Sequence, residues 1–310
     1  MALHAAGQCG RPGIAAGVRV RSMATKPDFI GIGAQKCATT WIFRNLQDHP
    51  QAALSEQKEL HFFSAAFDRG YRWYETQFPQ RPDALAVGEI STSYLCSNDA
   101  APRAARYNPG FKLILALRDP VERAYSNHLH ELRVGHIQAD LNAFEDAERM
   151  NPMYLEQSRY ASHLRRWLDL FPREQLLVLF QEEIEQQPDT QVHALYEFLG
   201  LDTGYRSRYV RERVNVSAAD RSPAARRILQ AGAGALRRVF GDRFVREFRA
   251  LGPTRRIREA NRLPLTSAVP PMSDATRRRL VREFADDMHE LARMIGRSDL
   301  PWPSWVEAGR

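Results

Sequence analysis

Asp28-Phe-Ile-Gly-Ile-Gly-Ala-Gln-Lys36-Cys-Ala-Thr39-Thr40-Trp41 is the stretch whose reading decides the fold. Phe29, Ile30 and Ile32 form the short apolar run of a central parallel strand. Gly31 and Gly33 let the backbone turn and approach a ligand closely. Thr39 and Thr40 are N-cap residue types, and Trp41, Ile42 and Leu46 supply the apolar stripe of a helix that His49-Pro50 stops. A helix N-terminus after a strand, with free N–H groups, a cationic Lys36 and two hydroxyls, is a phosphate cradle. The plainer alternative is a glycine-containing βα turn carrying a surface lysine. The nucleoside-triphosphate loop G-x-x-x-x-G-K-[ST] is absent, because Lys36 precedes the small residues and no glycine stands directly before it. The dinucleotide pattern G-x-G-x-x-G is absent as well.

Working outward, Gln51–Leu54, Ala86–Ile90, Lys112–Leu117 and Gln175–Phe180 read as further strands. Gly70 to Phe78 reads as an aromatic helix turn, its rings either core or a sugar-stacking platform. Residues 140–149, 157–171, 188–199, 223–250 and 274–295 read as helices, with Gly200 as a C′ glycine. The alternation implies an α/β, P-loop-like three-layer domain with a central mainly parallel sheet and helices on both faces.

Arg118-Asp119-Pro120 follows the strand ending at Leu117. Pro120 suits a helix start and places Ser126 two turns into that helix. Arg118 is a fixed cation at a strand's C-terminal edge, where open α/β sheets bind ligands, and its planar fork suits a phosphate. If the strands ending at Gly33 and Leu117 are neighbours, the two phosphate motifs share one groove. Glu59 sits beside His61, Phe62 and Phe63. A carboxylate against apolar walls holds its proton more tightly, which suits a general base. The other reading is a partly exposed loop carboxylate over an aromatic cluster.

The strand–G-x-Q-K-x-x-T-T-W segment resembles the 5′-phosphosulfate loop of sulfotransferases that use 3′-phosphoadenosine-5′-phosphosulfate (PAPS). Lys58-Glu-Leu-His-Phe-Phe63 resembles the catalytic segment of the heparan sulfate sulfotransferases. Arg118-Asp-Pro-x-x-Arg123-x-x-Ser126 resembles the 3′-phosphate site. The resemblance covers residues 28–200 well and the remainder loosely. It implies a sulfotransferase domain over residues 27–310 and sulfuryl transfer from PAPS to a hydroxyl or amine of a carbohydrate acceptor.

It also implies roles. Glu59 takes the acceptor proton, and Lys36 offsets charge on the leaving oxygen. Gly33, Ala34, Gln35, Lys36, Cys37, Ala38, Thr39, Thr40 and Trp41 hold the donor's 5′ side. Arg118 and Ser126 hold its 3′-phosphate, with Arg221 and Ser222 on a closing loop. Arg123 either joins them or pairs with an acid, and Tyr160 is mostly core. His61, Glu89, Ser91 and Ser93 are acceptor contacts. No metal is required. One departure stands out: Ile90 occupies a position where the family carries a lysine, which removes a cation. A P-loop small-molecule kinase is one alternative, although it needs a glycine-lysine-hydroxyl order and a Mg²⁺ acid. A non-catalytic nucleotide or glycan binder is the other, and Ile90 is its best support.

The chain of 310 residues is 44% hydrophobic and 26% charged, an ordinary globular composition, and no apolar run is long enough to span a bilayer. Cys9, Cys37 and Cys96 form neither metal spacing nor a disulfide framework, which predicts a reducing cytoplasm. Net charge is +7, yet residues 203–262 alone hold sixteen arginines against five acids. That excess is either a solvated helical surface or a face for an anionic nucleotide or acidic glycan. Nucleic acid is not expected, because no binding motif accompanies the charge. Residues 1–26 read as a disordered leader: Arg11, Pro12 and Arg19 break any secretory apolar run. A mitochondrial presequence, or translation starting at Met23, are the other readings.

Overall fold

The computed structural model describes residues 26–137, 143–212 and 269–309, and the backbone of 218–220 and 262–264. Residues 1–25 of the expected 1–26 leader, the whole of the expected 223–250 helix, and Arg221 and Ser222 lie outside the described residues. Five strands build one parallel sheet: β1 (Phe29–Gly33), β2 (Ala52–Leu54), β3 (Ala86–Ile90), β4 (Lys112–Leu117) and β5 (Leu176–Phe180). Their order is β2-β3-β1-β4-β5. β1 therefore runs between β3 and β4, with Phe29 opposite Gly88 on one side and Lys112 on the other. All five residues of β1 and of β3 are buried, as expected of strands covered on both faces.

Helices connect the strands: α1 (Thr39–Asp48), α2 (Gly70–Glu75), α3 (Ala100–Tyr107), α4 (Pro120–Val134), α5 (Phe144–Met150), α6 (Met153–Glu156) and α7 (Tyr160–Leu168). After β5 come α8 (Gln181–Gln186) and α9 (Pro188–Leu199). The connection through α1 runs to the far edge of the sheet, and every later crossover runs the opposite way. Right-handed crossovers then put α1 on one face and α2 to α7 on the other. α9 joins α1, with the Tyr196 hydroxyl on the Asn45 carbonyl at 3.2 Å. The direction reverses between β1 and β4, which opens a crevice at their C-terminal edge.

α3 was not legible in its sequence: Ala100-Ala-Pro-Arg-Ala-Ala-Arg-Tyr107 buries only small alanines, which give no apolar stripe. A further two-stranded antiparallel ribbon pairs β6 (Ala218–Asp220) with β7 (Arg262–Pro264). The chain closes with α10 (Asp274–Ile295) and α11 (Pro303–Ala308). Ser273 caps α10 through its hydroxyl, and the helix packs on α7 and α4. Trp302, fully buried, fills the space beside Tyr160 and Phe180.

Candidate active site

One cleft of about 1280 Å³ opens at the C-terminal edge of β1 and β4. Gln35 to Trp41 form one wall, Arg118 and Ser126 another, and Glu59 and His61 a third. The β1–β4 pairing is what brings Lys36 and Arg118 to the same cavity.

The Lys36 loop is shaped by left-handed backbone at Lys36 (φ 71°) and Ala38 (φ 55°). Ala38, not a threonine, occupies the N-cap of α1, and Thr39 is the first helical residue. An alanine brings no side-chain acceptor to the cap, and its carbonyl accepts the Trp41 N–H at 2.9 Å. Burial, then the charges of Arg133 and Arg118, lowers the Lys36 ammonium to about 8. An anion in the cleft would oppose these effects by favouring the charged ammonium. Gly33 and Ala34 lie beneath the cleft instead of lining it. The Ala34 N–H bonds the Ala116 carbonyl at 2.7 Å and ties the loop to β4. Trp41 borders the cleft, but its indole N–H is given to the Val210 carbonyl at 2.9 Å.

Asp119 caps α4 by accepting from Val121 N–H at 2.9 Å, which fixes Arg118 just before the helix. The Arg118 guanidinium lies 3.7 Å from Glu122. Ser126 faces the cleft from the same helix. Arg123 does not line the cleft and pairs with no acid among the described residues. It is fully buried and donates to Ser158 Oγ at 2.6 Å, Gln157 Oε1 at 3.1 Å and the Tyr154 carbonyl. Tyr160 is buried behind both motifs. Its hydroxyl donates to the Arg118 carbonyl at 2.9 Å and lies 3.6 Å from the Cys37 thiol.

Glu59 (φ 67°) and His61 (φ 54°) are left-handed, a conformation costly to side-chain-bearing residues. Four consecutive residues leaving β3 hold them. The Ile90 carbonyl accepts Glu59 N–H at 3.0 Å, and Ser91 Oγ accepts His61 N–H at 2.9 Å. Thr92 N–H donates to Glu59 Oε2 at 2.7 Å, and Ser93 Oγ meets His61 Nδ1 at 2.8 Å. The setting of Glu59 is polar, contrary to the apolar walls expected from Phe62 and Phe63. Both rings turn into the aromatic core, while Lys58 Nζ pairs with the carboxylate. Glu59 remains 27% exposed at the cleft.

Of the expected acceptor contacts, only His61 lines the cavity. Glu89 and Ser91 are fully buried, and Ser93 is occupied by His61 and Ser64. β3 is covered on both faces, so no polar/apolar alternation reports which way its end residues point. Ile90 is 1% exposed and packs on Gly31, where a Cβ would stand 2.7 Å from Ile90 Cγ1. Lys58 was missed as a cleft residue, as were His130 and Arg133 of α4 and the stretch from Gln181 to Thr190. His130 and Arg133 lie four and seven residues beyond Ser126, a helical spacing that could have found them. The β5–α8 stretch could be found only from the strand order.

Known proteins share this architecture. The family model described as the sulfotransferase domain matches residues 26–220. Human heparan sulfate glucosamine 3-O-sulfotransferase 3B1 is 30% identical over 184 residues, covering 56% of this chain and 46% of that protein. Human bifunctional heparan sulfate N-deacetylase/N-sulfotransferase 3 is 31% identical over 194 residues, covering 56% of this chain and 22% of that protein. The chain thus spans less than half the length of these two relatives. A crystal structure of a sulfotransferase from Alicyclobacillus acidocaldarius matches in fold, with a TM-score of 0.64 at 23% identity. That match covers 92% of this chain and all of the other.

Proposed function

The chain belongs to the sulfotransferase domain family, and we propose that it transfers a sulfuryl group from PAPS to a hydroxyl or amine of a carbohydrate. The observation that carries this reading is the meeting of Lys36, Arg118 and Glu59 on one cleft. At about 1280 Å³ the cleft exceeds the roughly 300–1,000 Å³ that one small ligand occupies, which leaves room for a second substrate. The nucleotide fits the donor set, because cations stand on two walls and a helix N-terminus without a side-chain cap opens between them. The heparan sulfate relatives support a carbohydrate acceptor.

Arg118 and Ser126 would hold the 3′-phosphate and so orient the donor. Lys36 and the first-turn N–H groups of α1 would face the 5′ side. The acceptor oxygen or nitrogen forms a bond to sulfur, and the bond from sulfur to the phosphate oxygen breaks. The electron pair leaves with that oxygen, and the acceptor's proton passes to a Glu59 carboxylate oxygen. Lys36 offsets the charge that grows on the leaving oxygen, a preorganised electrostatic contribution made before the reaction begins. Thr92 N–H and Lys58 keep Glu59 turned to the cleft. The free thiols of Cys37 and Cys96 suit a reducing compartment, and a cytoplasmic location is part of the proposal.

The test is a screen with ³⁵S-labelled PAPS across polysaccharides, oligosaccharides, lipopolysaccharide and phenols. Label on a carbohydrate is expected. A protein that binds the nucleotide yet labels nothing in the panel would overturn the catalytic reading.

A further inference from the structure

Glu89 is a carboxylate that the chemistry above does not use. It is fully buried at the end of β3 and takes hydrogen bonds from three hydroxyls. Tyr94 donates to Oε1, Tyr74 approaches Oε1 at 3.5 Å, and Ser91 donates to Oε2 at 2.7 Å. Every partner is therefore a donor toward it. An ionised carboxylate satisfies all three, and a protonated one still leaves Oε2 a lone pair for the Ser91 hydroxyl.

The consequence lies one bond further on. A serine hydroxyl has one proton and two lone pairs, and it rotates to suit its surroundings. With its proton drawn to Glu89, Ser91 must present lone pairs on its other side. That side faces the loop, where Ser91 Oγ accepts the His61 N–H at 2.9 Å. His61 and Glu59 are both left-handed, so this stretch does not hold its shape through local preference. Its shape is imposed by the exit of β3, where the Ser91 hydroxyl is held by the buried Glu89 carboxylate.

We infer that Glu89 is a positioning residue for Glu59, acting through Ser91 by fixing the hydroxyl as an acceptor for the His61 amide. Glu89 touches no substrate; it sets the direction of a hydrogen bond, and that bond sets the backbone on which Glu59 stands. The inference rests on the reading of Glu59 as the base, while its structural half stands without it.

Two measurements on Glu89→Gln and Ser91→Ala test it. The first is amide hydrogen exchange at His61, read by NMR in the full chain against amides in β1 and β4. Exchange at His61 at least tenfold faster, with the strand amides unchanged, is expected. The second is kinetic: kcat for transfer falls at least tenfold, while the Kd for 3′-phosphoadenosine 5′-phosphate stays within twofold. A glutamine matches Glu89 in size and replaces one accepting oxygen with an N–H donor pair, so a hydroxyl that donates to that position must turn. Ser91→Thr keeps the oxygen and should restore both readouts. Unchanged His61 exchange in both variants overturns the inference, as does a lost rate that Ser91→Thr fails to restore. If the wild-type chain binds nucleotide and transfers nothing, the catalytic reading fails, and the exchange measurement still decides the clamp. Should Glu89→Gln not fold, Ser91→Ala carries both readouts alone.

Discussion

The Tyr160 hydroxyl donates to the Arg118 carbonyl at 2.9 Å, from a position fully beneath the cleft. The same oxygen lies 3.6 Å from the Cys37 thiol. One buried ring from α7 therefore braces the Arg118 corner against the Lys36 loop. Tyr160→Phe removes the donor and leaves a carbonyl without it, a loss of about 1–3 kcal/mol. We expect a lower unfolding midpoint in denaturant and a severalfold weaker Kd for 3′-phosphoadenosine 5′-phosphate. A variant that matches wild type in both measurements would show that the brace carries no weight.

Arg118→Ala should weaken nucleotide binding at least tenfold, since a charge-assisted, forked contact is lost. Ser126→Ala, which removes a single neutral hydroxyl, should cost less. Titration calorimetry with the bisphosphorylated nucleotide separates the two. Equal affinities for wild type and Arg118→Ala would remove this residue from the donor site.

Glu59→Gln preserves shape while abolishing the proton acceptor. General-base contributions of roughly 10²–10⁴ set the expected fall in transfer rate. Nucleotide affinity should stay within twofold, because Glu59 stands on a different wall from Lys36 and Arg118. Comparable turnover in this variant would end the assignment of Glu59 as base.

Lys36 titrates at about 8 in the free protein, lowered first by burial and then by Arg133 and Arg118. A bound anion favours the charged amine, so binding above that pH requires uptake of a proton. Nucleotide affinity should be flat below pH 8 and fall by up to tenfold per unit above it. Lys36→Met should bind weakly with no such break. A wild-type profile that stays flat to pH 9.5 would contradict the role.

Burial pushes the Glu89 carboxyl up to about 7, against hydrogen bonds from Tyr94 and Ser91 and with Glu59 adding to the rise. Its ordinary value is 4.5, so between these limits the folded chain binds the proton more tightly than the unfolded one. The Glu89 contribution to stability is greatest below pH 4.5 and is lost as pH rises through about 7. Asp28 and Glu182 are raised in the same direction, so wild type alone does not isolate it. The difference in unfolding midpoint, Glu89→Gln minus wild type, should grow from pH 4.5 to 7 and level off above. A constant difference would mean that Glu89 does not titrate there.

Much of this molecule was determined by the sequence alone. Phe29-Ile-Gly-Ile-Gly33 and Lys112-Leu-Ile-Leu-Ala-Leu117 are local apolar runs, and each is followed by residues whose helix-starting chemistry is also local. The sheet, the Lys36 loop, the Arg118 corner and the Glu59 loop were therefore legible, because their signals lie within a few consecutive residues. Only the tertiary structure decided that β1 lies beside β4, since strand pairing joins segments some eighty residues apart through bonds that carry no side-chain label. It also decided that Glu89 and Ser91 face inward, Lys58 faces the cleft, and Ile90 closes on Gly31. A strand buried on both faces shows no alternation, so the direction of each side chain is set by what the rest of the chain packs against it.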